Sequence, residues 1–189
     1  MAKLTKSRTR NSAGFTLLEL LISVGFLAVG LLAVGLLITT ALASNNRNKL
    51  DSGGTLVAQR VMDTILATPT GTLPLPQIRD CNPAGNQLFN IDYRGTAAGS
   101  GATIVAASGN IDFNAETNAA VAAGYKMLYV SCGAQGQHVT YDVRWRVQCF
   151  DAACTSQTRQ VTVAARQIGA TGSLRWATRP VTLRSIALN

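Results

Sequence analysis

Residues 13–40 read Ala-Gly-Phe-Thr-Leu-Leu-Glu-Leu-Leu-Ile-Ser-Val-Gly-Phe-Leu-Ala-Val-Gly-Leu-Leu-Ala-Val-Gly-Leu-Leu-Ile-Thr-Thr. The run is long and apolar enough to cross a bilayer, which takes about 20 residues. One carboxylate, Glu19, stands near its start, and no charged residue follows until Arg47. Upstream, the only charges are Lys3, Lys6, Arg8 and Arg10. A short, basic, acid-free leader of this kind is held on the cytoplasmic side. A secretory signal puts its small-residue cleavage site after the apolar run. Here the small pair Ala13-Gly14 precedes it, so cleavage after Gly14 would keep the whole apolar segment and make Phe15 the new N-terminus.

A basic leader ending in Gly, then Phe-Thr-Leu-x-Glu, resembles the type IV pilin and pseudopilin family. Gly14, Phe15, Thr16, Leu17 and Glu19 match that pattern. The resemblance implies cleavage between Gly14 and Phe15 by a prepilin peptidase, which also N-methylates Phe15. It implies that Glu19 faces the N-terminal amine of a neighbouring subunit and guides assembly. The residues themselves fit such roles. A carboxylate inside a bilayer costs about 2.5 to 3.5 kcal/mol on insertion scales, which calls for a function or a partner. Glu19 lies four residues after Phe15, on the same helix face, where the helix dipole favours negative charge.

The chain has 189 residues, enough for one domain beyond a membrane helix, and a formal net charge of +8. That charge raises a nucleic-acid reading. With four of the 17 bases and none of the nine acids in the leader, the remainder carries only +4. Arg144, Arg146, Arg166, Arg175, Arg179 and Arg184 gather in the last quarter, as solvated strand faces or as a basic surface for an acidic partner or DNA.

Cys81, Cys132, Cys149 and Cys154 all follow the apolar run. Export with the leader inside would carry them to an oxidising compartment, where disulfides persist. Four cysteines allow three connectivities. The favoured one is Cys149–Cys154, a local clasp, with Cys81–Cys132 closing a long loop. The lack of C-x-x-C and the single histidine argue against zinc.

Gly25, Gly30 and Gly35 punctuate the apolar run without forming one stripe. They suit either a helix packed by neighbours on several sides or an ordinary membrane helix. Beyond Ala43 the helix should continue, because Leu50, Val57, Ala58, Val61, Met62, Ile65 and Leu66 form the one-sided pattern of an amphipathic helix. Gly53-Gly54 is expected to bend or loosen it, and Thr68-Pro69 to end it. Residues 69–80 read as an extended linker. Residues 81–124 are rich in Gly, Ala, Asn and Ser, with Gly99-Ser100-Gly101 as a flexible loop and Asn114 as the cap of a short helix reaching Ala123.

The last third changes period. Lys126 to Cys132 is a strand candidate. Val139, Tyr141, Val143, Trp145, Val147 and Cys149 alternate with polar residues, as in a half-buried strand. Residues 157–166 return, Leu174 and Trp176 start a further strand, and Val181, Leu183 and Ser185 complete it. Short turns between strands predict an antiparallel sheet with one covered face, the amphipathic half-helix being its cover. Trp145 and Trp176 are expected in the core, and His138 at the surface.

The expected class is α+β and pilin-like: leader 1–14, long helix 15–68 with 15–42 transmembrane, loop-rich connection 69–125, and sheet domain 126–189. No catalytic constellation or cofactor motif is present. The C-terminal strands, with Ala58-Gln59-Arg60-x-Met62-Asp63, resemble V-type minor pilins and I-type pseudopilins. The resemblance implies a subunit of a type IV pilus or type II secretion pseudopilus. It would be held in the bacterial inner membrane with its C-terminal domain periplasmic, and would partner the peptidase and other pilins. A DNA-uptake pilin with a basic C-terminal face, a major structural pilin and a membrane-anchored enzyme are the rival readings.

Overall fold

The N-terminal helix α1 covers Leu17–Ala67. In the computed structural model, residues 16–69, 71–133, 136–152, 154, 158–168 and 179–188 are described, with the backbone alone at Asn46, Arg47 and Leu50. Two units divide the chain, Met1–Asn45 and Asn46–Asn189. In the first, every described residue is exposed. Its span Leu17–Asn45, 29 residues of mean hydropathy 2.7, is long and apolar enough to cross a membrane. At about 1.5 Å per residue it reaches roughly 43 Å, against a hydrocarbon core of about 30 Å.

The second unit is a five-stranded antiparallel sheet with the rest of α1 on one face. Its strands are β3 (Ser100–Gly101), β4 (Lys126–Cys132), β5 (His138–Cys149), β6 (Arg159–Ile168) and β7 (Val181–Ala187). β5 pairs with β3 and β4 on one side and with β6 on the other, and β7 closes the sheet. A separate hairpin joins β1 (Gln77–Arg79) to β2 (Leu88–Asn90). The protein is therefore α+β, a long N-terminal helix followed by an antiparallel sheet. Val57, Ala58, Val61, Met62 and Ile65 are buried, as the amphipathic pattern requires, in one core with Tyr141, Val143, Trp145 and Val147 of β5 and Val161 and Val163 of β6.

Four features differ from the sequence expectation. Gly53 and Gly54 lie within α1, close against Tyr141. A Cβ on Gly53 would collide with the Tyr141 hydroxyl, so glycine here permits close helix–sheet approach. Gly99-Ser100-Gly101 contributes β3. Gly101 takes φ +98°, and a side chain there would strike the Trp145 carbonyl. The short helix expected from Asn114 reduces to a 3-10 turn at Asn118–Ala120. Finally, the middle of the sheet, at β5 and β6, is covered on both faces.

The second cover is the segment 96–121. It brings Ala102, Ile111, Phe113 and Val121 into the core, and residues 69–125 belong to the same unit as the sheet. Beneath it, on the face of β5 opposite α1, Asp142 and Arg144 are 3% and 1% exposed. A strand whose alternate residues are charged is ordinarily solvated on that side. Here the charges are buried because they pair with one another and with loop carbonyls. Leu174 and Trp176 lie outside the described residues.

Candidate functional site

At the start of α1, Thr16 acts as the N-cap. Its hydroxyl accepts the Glu19 backbone N–H at 3.3 Å, and its carbonyl accepts Leu20 N–H at 3.2 Å. Thr-x-x-Glu is the capping-box spacing, so Glu19 falls at the third helical position, within the positive end of the dipole. Its side chain is exposed in the first turn. Gly14 and Phe15, the expected cleavage and methylation residues, lie outside the described residues. Along the apolar span, Ser23, Thr39 and Thr40 satisfy their hydroxyls on carbonyls three or four residues back. Glu19 is the one charged side chain of this span among the described residues. Gly25, Gly30 and Gly35 have no neighbour within 4 Å.

At the other end of α1 sits a residue that sequence reasoning missed. Arg159 of β6 is 3% exposed and lies on the helix-facing side of the sheet. It donates to the carbonyls of Ile65 at 3.2 Å and Thr68 at 2.9 Å, and to Tyr93 O at 3.1 Å. Its guanidinium lies 5.1 Å from the Tyr93 ring centre. The last turn of α1 carries no basic residue. Arg159 supplies from the sheet the cation and donors that a helix C-terminus lacks. Burial pulls its pKa below the usual arginine value.

Among the described residues of the last quarter, Arg144, Arg146, Arg166 and Arg184 each engage a partner. Arg144 binds Asp142 through two hydrogen bonds of 2.9 and 2.7 Å and donates to Glu116 O at 2.8 Å. Asp142 also accepts from Asn118 at 2.7 Å and lies 3.6 Å from Arg166. Phe113 is flanked by Arg144 and Arg166, at 4.7 and 4.5 Å from its centre. Arg146 donates to Ala98 O and Ala102 O, and Arg184 to Ser108 O and Asn110 Oδ1. These donors clamp the 96–121 segment onto the sheet. Arg179 is exposed, and Arg175 lies outside the described residues.

Beside Trp145, the phenol of Tyr125 donates to Arg94 O at 2.6 Å, and burial pushes its pKa up to about 12. This group ties the 92–94 segment to β5, where Trp145 Nε1 donates to Asp92 O at 2.8 Å.

Both cysteine pairs are disulfides with the favoured connectivity, Cys81–Cys132 and Cys149–Cys154. The first ties the segment after β1 to the end of β4, where Cys81 N also donates to Val130 O. The second closes the turn after β5. His138 is exposed, as expected, but is not isolated. It faces Cys132 across the β4–β5 ladder, with Nδ1 3.3 Å from Sγ. A shallow groove between the β1–β2 hairpin and β4 is lined by Leu88, Phe89, Lys126 and Leu128 among others. The Lys126 ammonium is engaged with Ala119 O.

Comparison with family models, with curated proteins and with solved structures finds no match for this chain.

Proposed function

We propose that this chain is the precursor of a minor pilin or minor pseudopilin, matured by a prepilin peptidase and assembled into, or priming, a filament. The observation that carries the reading is the order of residues 3–19: an acid-free basic leader, Gly14, then Phe15-Thr16-Leu17-Leu18-Glu19 opening an apolar helix. The exposed apolar span supports it, because a surface of that kind needs lipid or other helices around it. The disulfides fit a periplasmic C-terminal unit. The protein would sit in the inner membrane as a single-pass monomer before joining other pilins or pseudopilins. It would be a substrate of processing rather than an enzyme, and no cofactor enters its role.

The DNA-uptake alternative asks for free cations on the sheet. Arg144, Arg146 and Arg184 instead each donate to a carbonyl of the covering segment. That observation favours the assembly reading over the nucleic-acid one.

In the proposed assembly, the Glu19 carboxylate receives the cationic amine of a neighbour's Phe15. Glu19→Ala removes that acceptor and lightens the membrane cost of the charge. The folded unit, residues 46–189, should be untouched. Cross-linking to pilin neighbours, compared at matched membrane levels, should fall several-fold. Equal cross-linking in the wild type and Glu19→Ala would remove the assembly role. Glu19 would then serve only as a first-turn carboxylate at the positive end of the helix dipole.

A further inference from the structure

We infer that the open edge of β7 is a docking strand for an extended segment of another protein, apolar where it passes Ile186 and Leu188 and acidic where it passes Arg179. This surface is separate from Glu19, and the inference stands whether or not the leader is processed.

Backbone directions fix which groups face that edge. Trp145 donates its N–H to Tyr125 O and accepts the Ala102 N–H, so the odd-numbered residues of β5 turn their backbone groups toward β3 and β4. In an antiparallel ladder the alternate residues bond the other neighbour, so Arg144 and Arg146 bond Ala164 and Thr162 of β6. One strand further, Val161 and Val163 bond Ser185 and Leu183 of β7. Thr182, Arg184 and Ile186 are left with N–H and C=O pointing away from the sheet. Among the described residues, no backbone group pairs with them there.

Proteins ordinarily blunt such an edge with proline, a bulge, a charge or a covering segment. The other side of the sheet is blunted in this way: Val130 O of β4 accepts the Cys81 N–H, and the β1–β2 hairpin stands alongside. β7 pairs with β6 without a break from Val181 to Ala187, and no proline lies within it. Its one charge, Arg184, is drawn onto the face of the sheet by Ser108 O and Asn110 Oδ1. Ile186 and Leu188 are 54% and 77% exposed. Phe150, at the same end of the sheet, is 61% exposed. Arg179, just before the start of β7, is exposed as well.

These groups define the partner. Main-chain bonds from an added strand supply affinity, and its alternate side chains supply selectivity. Antiparallel pairing is the more stable arrangement, so the added strand runs against β7, with its apolar residues first and its carboxylate last. A second copy's β7 does not meet that need. α1 runs alongside β7 in the same sense, with Gly54 near Val181 and the Ile65 and Thr68 carbonyls on Arg159, opposite Ala187. Two copies side by side with parallel helices therefore cannot pair β7 with β7 antiparallel.

The test uses the full chain in detergent and a short fluorescent peptide of alternating isoleucine and threonine that ends in glutamate. Fluorescence anisotropy should show saturable binding. The isoleucine N–H groups are the ones that face β7 when the isoleucines share a face with Ile186. N-methylation at the isoleucines should therefore weaken binding at least about tenfold, through the lost hydrogen bonds, whereas N-methylation at the threonines should not. Thr182→Pro removes an outward N–H without touching the β6 ladder and should weaken binding while circular dichroism keeps the sheet. Should Thr182→Pro unfold, Ile186→Lys, which puts a charge on the exposed edge, carries the comparison. The proposal is overturned by the absence of saturable binding, by undiminished binding of the isoleucine-methylated peptide, or by undiminished binding to Ile186→Lys. A dimer in sedimentation that the peptide dissociates would assign the edge to a second copy and overturn it equally.

Discussion

Replacing Arg159 by methionine keeps an apolar stem of similar length and deletes the guanidinium. Three carbonyls then lose a charged donor: Ile65, Thr68 and Tyr93. Hydrogen bonds to charged groups contribute about 1.5–3 kcal/mol each, and two of these, at 3.1 and 3.2 Å, belong at the weak end. The gross loss is therefore about 5 kcal/mol. Against it stands the cost of keeping a cation out of water, still several kcal/mol for a buried ion. That cost also depresses the Arg159 pKa. Ile65 O retains the Thr68 N–H as a donor, which softens the loss further. A net destabilisation of about 2–3 kcal/mol results, weighing the hydrogen bonds against desolvation. With a urea slope of roughly 1–3 kcal/mol/M, the unfolding midpoint should drop by about 1 M. Trp145 is 0% exposed, so tryptophan fluorescence of the full chain in detergent reports the transition. An Arg159→Met protein as stable as the wild type, or more so, would show that desolvation outweighs the capping and that the helix end needs no cation.

The two disulfides should differ in weight. Loop-closure entropy assigns about 4 kcal/mol to a bridge spanning 51 residues and about 2 kcal/mol to one spanning five. Cys81→Ser with Cys132→Ser should thus lower the urea midpoint roughly twice as far as Cys149→Ser with Cys154→Ser, and equal shifts would contradict the model. Gly53→Ala should destabilise the second unit in a thermal melt, although alanine is the better helix former by about 1 kcal/mol, because its Cβ meets the Tyr141 hydroxyl. A raised melting temperature would show that the helix–sheet approach has slack.

Much of the architecture is legible in the residues. Val57, Val61 and Ile65 announce the helix face that covers the sheet, and the alternation from Val139 to Cys149 announces β5. What could not be read is what lies on the other face of β5. Asp142, Arg144 and Arg146 carry charges that ordinarily mean solvent. They are covered because segment 96–121, with no hydrophobic period of its own, offers backbone carbonyls as acceptors. Arg159 was illegible for the same reason. Its partners are carbonyls of Ile65, Thr68 and Tyr93, and a carbonyl leaves no mark in a sequence. Gly53-Gly54 was visible as a feature, but only the position of Tyr141 shows the close approach that the pair allows. The nearness of His138 to Cys132 depends on the register of one hairpin.

The central claim is that the leader is removed ahead of the apolar run and the helix is retained. Intact mass and terminal-peptide mass spectrometry of the protein from its native membranes test this most directly. The account predicts a chain beginning at Phe15 with a methylated amine, and its loss when Gly14 is replaced by a bulky residue. A mature N-terminus at Met1 or Ala2, or one beyond Thr40, would contradict it.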